Sequence, residues 1–285
     1  FDENMMKTRI EMTFETLRQA GKKALIPYIM AGDPCPDVTV DLMHKLVEHG
    51  ADIIEVGLPF SDPMADGPII AHAAERALAA GVSTRDALNM IAKFRQTNQT
   101  TPVLVMGYLN PVEIIGYDNF ANLCADAGVD AILMVDLPPN QADGYAKSLT
   151  ERTDHPMNQI FLLAPTTKSD RRAKVIENCS GFIYYVSLKG VTGSGALDVA
   201  AVREQVAKIK QQTPIPVCVG FGIRDGDSAK ALGAVADGII VGSELVKHFA
   251  DCGHDEQKIQ QAKAGLLNKM DELRKSLDEL TSSTN

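Results

Sequence analysis

The sequence offers little that would bind a metal, cross a membrane or grip a polyanion. Its six histidines show neither HExxH nor His-x-x-x-His spacing, so no metal site is expected. The five cysteines, Cys35, Cys124, Cys179, Cys218 and Cys252, are odd in number, widely spaced and without a CxxC pair. That pattern predicts reduced thiols in a cytoplasmic setting rather than a disulfide framework. No apolar run approaches the roughly 20 residues that span a bilayer. Basic residues such as Lys22, Lys23, Lys168, Arg171 and Arg172 are scattered in a chain of net charge −9. Nucleic acid and anionic lipid are therefore excluded as main partners. Phe1-Asp2-Glu3-Asn4 before Met5-Met6 has no apolar core, so no signal peptide is expected, and residues 1–5 read as an appended remnant. Linkers and low-complexity stretches are also missing, which predicts one domain over residues 1–285 with a frayed tail at 281–285.

What is present is regular. With 45% hydrophobic and 23% charged residues the chain can bury a full core. Short apolar runs alternate with segments of helical period throughout, the pattern of a parallel sheet. Strands are predicted at 24–29, 52–56, 102–106, 131–135, 159–163, 182–186, 215–219 and 238–241. Their consecutive apolar residues suit strands buried on both faces. Eight strand-helix units in about 250 residues match a closed (β/α)8 TIM barrel, an α/β fold, better than an open doubly wound sheet of fewer strands. Two pieces stand outside the repeat: an N-terminal helix near 11–19, placed to cap the barrel bottom, and a long C-terminal helix near 255–280.

Active sites of such barrels lie on the loops after the strands, and three sets of residues there stand out. Glu55, in Ile53-Ile54-Glu55-Val56-Gly57, is a carboxylate inside an apolar strand; burial would raise its pKa and let it exchange protons near neutrality. The alternative is a Glu paired with a Lys or Arg for structural reasons. The loop Leu58-Pro59-Phe60-Ser61-Asp62-Pro63-Met64-Ala65-Asp66-Gly67-Pro68 is rich in Pro and Asp, able to hold its acids at defined positions but also ordinary turn chemistry. Glycines follow strands six, seven and eight: Lys189-Gly190-Val191-Thr192-Gly193-Ser194-Gly195, Gly220-Phe221-Gly222 and Gly242-Ser243. Such loops let main-chain N–H groups approach a phosphate.

With these residues in hand, the chain resembles the tryptophan synthase α-chain family over essentially its whole length. Residues 59–68 are close to the family's signature, with Glu55 at the right distance before it. Ala31-Gly32-Asp33-Pro34, Tyr184 with Gly190-Val191-Thr192-Gly193, Gly220-Phe221-Gly222-Ile223 and Val241-Gly242-Ser243 match further family elements. The resemblance implies retro-aldol cleavage of indole-3-glycerol phosphate to indole and glyceraldehyde 3-phosphate. It implies Glu55 as proton shuttle and Asp66 as the carboxylate near the ring N–H. Tyr28, Met106, Leu133, Tyr184 and Phe221 would wall the substrate, and Gly193, Gly222, Gly242 and Ser243 would hold its phosphate. Thr192 would help order Asp66. It implies no cofactor on this chain, and a β-subunit partner in an α2β2 assembly that carries pyridoxal phosphate and receives indole through a tunnel. Asp62 and Pro63, and Asn110 and Pro111 on the strand-three loop, would be contact elements. Two positions depart from the family: Tyr28 where many relatives carry Phe, and Lys189 where Arg is common.

The residues alone leave two other readings open. A phosphosugar isomerase or epimerase would share the phosphate cradle, since fold does not fix function. A non-catalytic activator of a β subunit would need no acid at position 55.

Overall fold

Side chains alternate along each strand between two apolar layers, and this alternation builds the molecule. The computed structural model describes residues 6–150, 152–187 and 198–282. Nine parallel strands are present among them: β1 (Ala24–Met30), β2 (Ile54–Gly57), β3 (Val103–Gly107), β4 (Ala131–Met134), β5 (Asn158–Gln159), β6 (Leu162–Leu163), β7 (Ile183–Val186), β8 (Val217–Gly220) and β9 (Gly238–Val241). Their order is β5-β4-β3-β2-β1-β9-β8-β7-β6.

The two end strands of that order are consecutive in the chain, separated only by Ile160 and Phe161. The expected fifth strand at 159–163 is thus present in two pieces, the first paired with β4 and the second with β7. One interrupted strand joins both edges and rounds the sheet into the expected eight-unit TIM barrel. The polar pair Asn158-Gln159 explains the first piece: Ser180 Oγ receives a bond from Asn158 Nδ2 and another from Gln159 N, both at 3.1 Å.

One layer fills the barrel. Ala24, Ile26, Ile53, Leu104, Ala131, Leu133, Phe182, Tyr184, Cys218 and Ile240 form a buried interior cluster. The helix Arg9–Gln19 closes its lower end with Ile10, Phe14 and Leu17, as expected, Phe14 lying 5.8 Å from the Phe182 ring. A capping box between Thr8 and Glu11 starts that helix, and Thr8 also donates to Asn158 Oδ1 at 2.6 Å, fastening it to β5. The alternate residues, such as Leu25, Val56, Val105, Ile132, Val219 and Ile239, pack outward against the surrounding helices.

Two ionic ties hold distant segments. Asp130, at the foot of β4, accepts bonds from Arg9 (3.0 Å), Arg95 (2.6 Å) and the Val103 amide (2.9 Å). The C-terminal helix Glu256–Ser282 buries Leu266, Met270, Leu273 and Leu277, and its Arg274 reaches Asp52 (2.7 Å) and the Lys23 carbonyl (2.8 Å). Of the residues expected in a frayed tail, Thr281 and Ser282 belong to this helix, and Thr281 donates to the Gly21 carbonyl at 3.2 Å, while 283–285 lie outside the described residues.

Candidate active site

The acidic side chain on β2 is buried without a hydrogen-bond partner among the described residues. Glu55 points inward, opposite Tyr28 of β1 and Leu104 of β3 in the ladder, while Ile54 and Val56 face the helices. It is 0% exposed, and neither carboxylate oxygen has a hydrogen-bond partner among the described residues. Burial, with the charge of Asp66 nearby, pushes its pKa up to about 8. The reading of Glu55 as a structural ion pair is therefore not supported. An uncompensated buried carboxyl is costly, and groups of this kind gather where protons are moved.

Asp66 sits on the same cavity, half-buried, at the end of the loop from β2. Burial raises its pKa, and a bond from the Tyr108 hydroxyl opposes that rise. The loop is held from both ends. Phe60 stacks on Tyr108 with ring centroids 5.1 Å apart, and the Ala65 amide donates to the Tyr108 hydroxyl at 3.2 Å. After the loop comes the helix Pro68–Ala79, whose Arg76 grips buried Asp33 in the strand-one turn at 2.6 and 3.1 Å. The acid-rich loop therefore enters the rim from a fixed helix start.

Across the mouth, Phe221 (φ 71°) and Gly222 (φ 82°) both take left-handed backbone conformations. Glycine adopts this freely, but for Phe it is strained. Ser187, at the end of β7, steadies the turn: its hydroxyl donates to the Gly220 and Phe221 carbonyls at 3.2 and 3.1 Å. Gly242 and Ser243 follow β9 and begin the short helix Ser243–Val246.

A cavity of about 330 Å³ joins these elements. Of the sequence candidates, Tyr28, Glu55, Asp66, Met106, Tyr184, Phe221, Gly222, Gly242 and Ser243 all line it. Leu133 does not: it is fully buried within the barrel's interior cluster. Thr192 and Gly193, with Lys189 and the rest of 188–197, lie outside the described residues. Asp62 is exposed and Pro63 half-buried on the loop from β2, while Asn110 and Pro111 stand in a short helix, Leu109–Ile115, where the sequence suggests a loop. Pro111 fits because it falls in the first turn, where no amide bond to a preceding turn is needed.

Other contributors lie outside the sequence candidates. Tyr108 bonds to Asp66, and its place directly after Gly107 at the end of β3 is the available signal. Ile70 and Ile240 add apolar wall, and Arg224 and Glu244 bring charge to the rim.

Close packing ties Tyr28 to the strand that carries Glu55. A methyl group on Gly57 would lie 2.0 Å from the Tyr28 hydroxyl oxygen and 2.7 Å from Cζ. Gly57→Ala is therefore expected to displace the Tyr28 ring, lowering kcat/KM and costing roughly 1–3 kcal/mol of stability. Tyr28→Phe in the same protein removes the nearer clash and should restore part of both, as read by turnover and thermal melting. Full activity in Gly57→Ala alone would contradict this account of the packing.

Comparison with known proteins gives the family and the fold. Residues 14–277 match a family model described as tryptophan synthase alpha chain. A tryptophan synthase alpha chain of Psychrobacter arcticus is 63% identical over 98% of this chain and 99% of the relative. That of Acinetobacter baumannii is 55% identical over 96% and 99%. The crystal structure of tryptophan synthase subunit alpha from Legionella pneumophila superposes with a TM-score of 0.87 at 40% identity, covering 96% of this chain and 100% of that one. An aminoacrylate-bound form of tryptophan synthase from M. tuberculosis gives 0.82 at 34% identity, covering 95% and 100%.

Proposed function

Because this chain belongs to the tryptophan synthase α-chain family, we propose that Glu55 and Asp66 together perform that family's reaction in the cavity they share. The reaction is the aldolase-type cleavage of indole-3-glycerol phosphate to indole and glyceraldehyde 3-phosphate. The observation that carries the assignment is the wholly buried, unpartnered Glu55 carboxyl facing the same cavity as Asp66 and the glycine turns.

The chemistry follows from which atoms must gain and lose protons. Indole is a poor carbanion leaving group, so C3 must first be protonated. Neutral Glu55, with its pKa near 8, supplies that proton at physiological pH. Positive charge then spreads to the ring nitrogen, where the carboxylate of Asp66 on the cavity wall stabilises it. The hydroxyl on the adjoining carbon gives its proton to the Glu55 carboxylate, the C–C bond breaks, and the bonding electrons return to the ring. Indole and the aldehyde leave, and Glu55 ends protonated as it began.

Tyr28, Met106, Ile70 and Tyr184 suit the flat apolar ring. The Gly222 and Gly242-Ser243 turns suit the phosphate, with Gly193 added at that end and Thr192 helping to order Asp66. Leu133, the register partner of Met106 on β4, would support that wall from beside it rather than by contact with substrate.

The family's α chains carry no cofactor and work with a β subunit. We assign pyridoxal phosphate to that partner, in an α2β2 assembly that draws indole directly from this cavity. Asp62, Pro63, Asn110 and Pro111 would meet it, supported by two strongly exposed apolar side chains beside them, Met64 (92%) and Ile114 (81%). Five free thiols suit a cytoplasmic location.

Purified protein mixed with indole-3-glycerol phosphate should release indole slowly, and faster by an order of magnitude or more when a β subunit is added, because rim loops close fully only in the assembly. No indole under either condition would remove the catalytic assignment. Equal rates with and without the partner would remove the coupling.

A further inference from the structure

The charges around the cavity do not balance for a phosphorylated substrate. Among the described residues lining it, Glu55, Asp66 and Glu244 are acids, and the only cationic side chain is Arg224. Glu244 is engaged by Lys247, three residues on along the same turn. Asp225, the acid next to Arg224, is occupied as the cap of the helix Gly226–Val235, accepting from the Ser228 amide at 2.9 Å. Arg224 itself uses only its main chain: its amide donates to Ser228 Oγ at 2.9 Å, and its carbonyl accepts from Lys269 at 3.0 Å. No ion pair to its guanidinium is formed among the described residues.

We propose that the Arg224 guanidinium is a phosphate-binding group of this enzyme, adding a full positive charge to a cradle that main-chain amides alone would otherwise provide. The site is built to present it. Arg224 follows Phe221 and Gly222, whose left-handed turn is pinned by Ser187, and buried Ile223 fixes the residue between them. The segment therefore meets solvent at a set place on the rim, on the wall that carries the Gly222 turn. A dianion entering a pocket that already holds carboxylates requires such a charge, and the planar guanidinium matches phosphate oxygens in pairs. The inference rests on the phosphate lying at the Gly222 and Ser243 end.

Arg224→Gln should raise KM for indole-3-glycerol phosphate by about tenfold, a typical loss for one hydrogen bond to a charged group that remains partly exposed. Its kcat should stay within about threefold, since the reacting atoms lie at the other end of the substrate. Inorganic phosphate, used as a competitive inhibitor, should weaken in parallel, whereas affinity for indole alone should not change. Arg224→Lys should recover part of the phosphate affinity but not all of it. In the wild type, inhibition by phosphate should strengthen from pH 5.5 to 7.5 as the dianion forms, and this dependence should flatten in Arg224→Gln. An unchanged KM and an unchanged phosphate inhibition constant would overturn the proposal. So would equal weakening of phosphate and indole, which would mark a structural role. Failure of the wild type to release indole would instead sink the catalytic assignment, leaving phosphate binding to be judged separately by calorimetry.

Discussion

Glu55→Gln is expected to abolish indole release, by about a thousandfold or more in kcat, while raising the stability of the fold. The first effect follows from its role as the sole proton carrier proposed between C3 and the neighbouring hydroxyl; removing such a group typically costs 10²- to 10⁴-fold, here roughly the upper part of that range because it acts twice. The second follows from linkage. The carboxyl's pKa is about 8 in the folded protein against an ordinary value of 4.5, so the folded state holds the proton more tightly than the unfolded chain. Stability is then fully present below pH 4.5 and declines as pH rises to about 8, by a few kcal/mol in all. Gln cannot ionise, so the variant should gain over the wild type between pH 5 and 8 and keep a constant lead above that. Melting curves across this range measure it. A variant that still releases indole would exclude Glu55 as the proton carrier, and one whose stability tracks the wild type at every pH would exclude the raised pKa. Wild-type activity should in turn fall as pH rises above about 8, when the proton donor is lost.

Asp130→Ala should be among the most damaging changes outside the cavity, at roughly 3–5 kcal/mol. Its carboxylate is almost wholly buried and faces two guanidiniums at once, Arg9 and Arg95. Arg95 is itself buried, and burial already depresses its pKa to about 10 despite the attraction of Asp130. Without the acid, a buried cation is left facing carbonyls alone, and the Val103 amide at the start of β3 loses its acceptor. Chemical denaturation read by circular dichroism should show the shift in midpoint. A loss below about 1 kcal/mol would mean that water or a neighbouring acceptor replaces the carboxylate.

Much of the barrel is legible in the chain because burial on both faces writes the strands as plain apolar runs. Seven of the eight expected strands lie within two residues of their observed bounds at each end. The eighth differs for a physical reason: 159–163 reads as one run, yet its backbone changes partners between β4 and β7 at Ile160-Phe161, a matter of ring closure that no local pattern encodes. Glu55 can be singled out because a lone acid in an apolar strand is physically conspicuous.

Depth is harder to read. Leu133 faces inward as alternation requires, but periodicity cannot say which layer of the interior it occupies. Asn110-Pro111 reads as a loop because proline usually breaks helices, whereas here it helps begin one. Arg224 and Glu244 escape sequence reasoning because charged residues on rim loops normally face water, and only the assembled mouth shows which ones border the cavity.

The Arg274 clasp bears on how this molecule is born. Its guanidinium grips Asp52 from 222 positions downstream and the Lys23 carbonyl from 251. A nascent chain on the ribosome can pair its early strands, but their connecting turns stay without this anchor until residue 274 has emerged. Contacts of such long sequence separation slow the search for the native arrangement. Until then those turns are the natural points of attack for a protease.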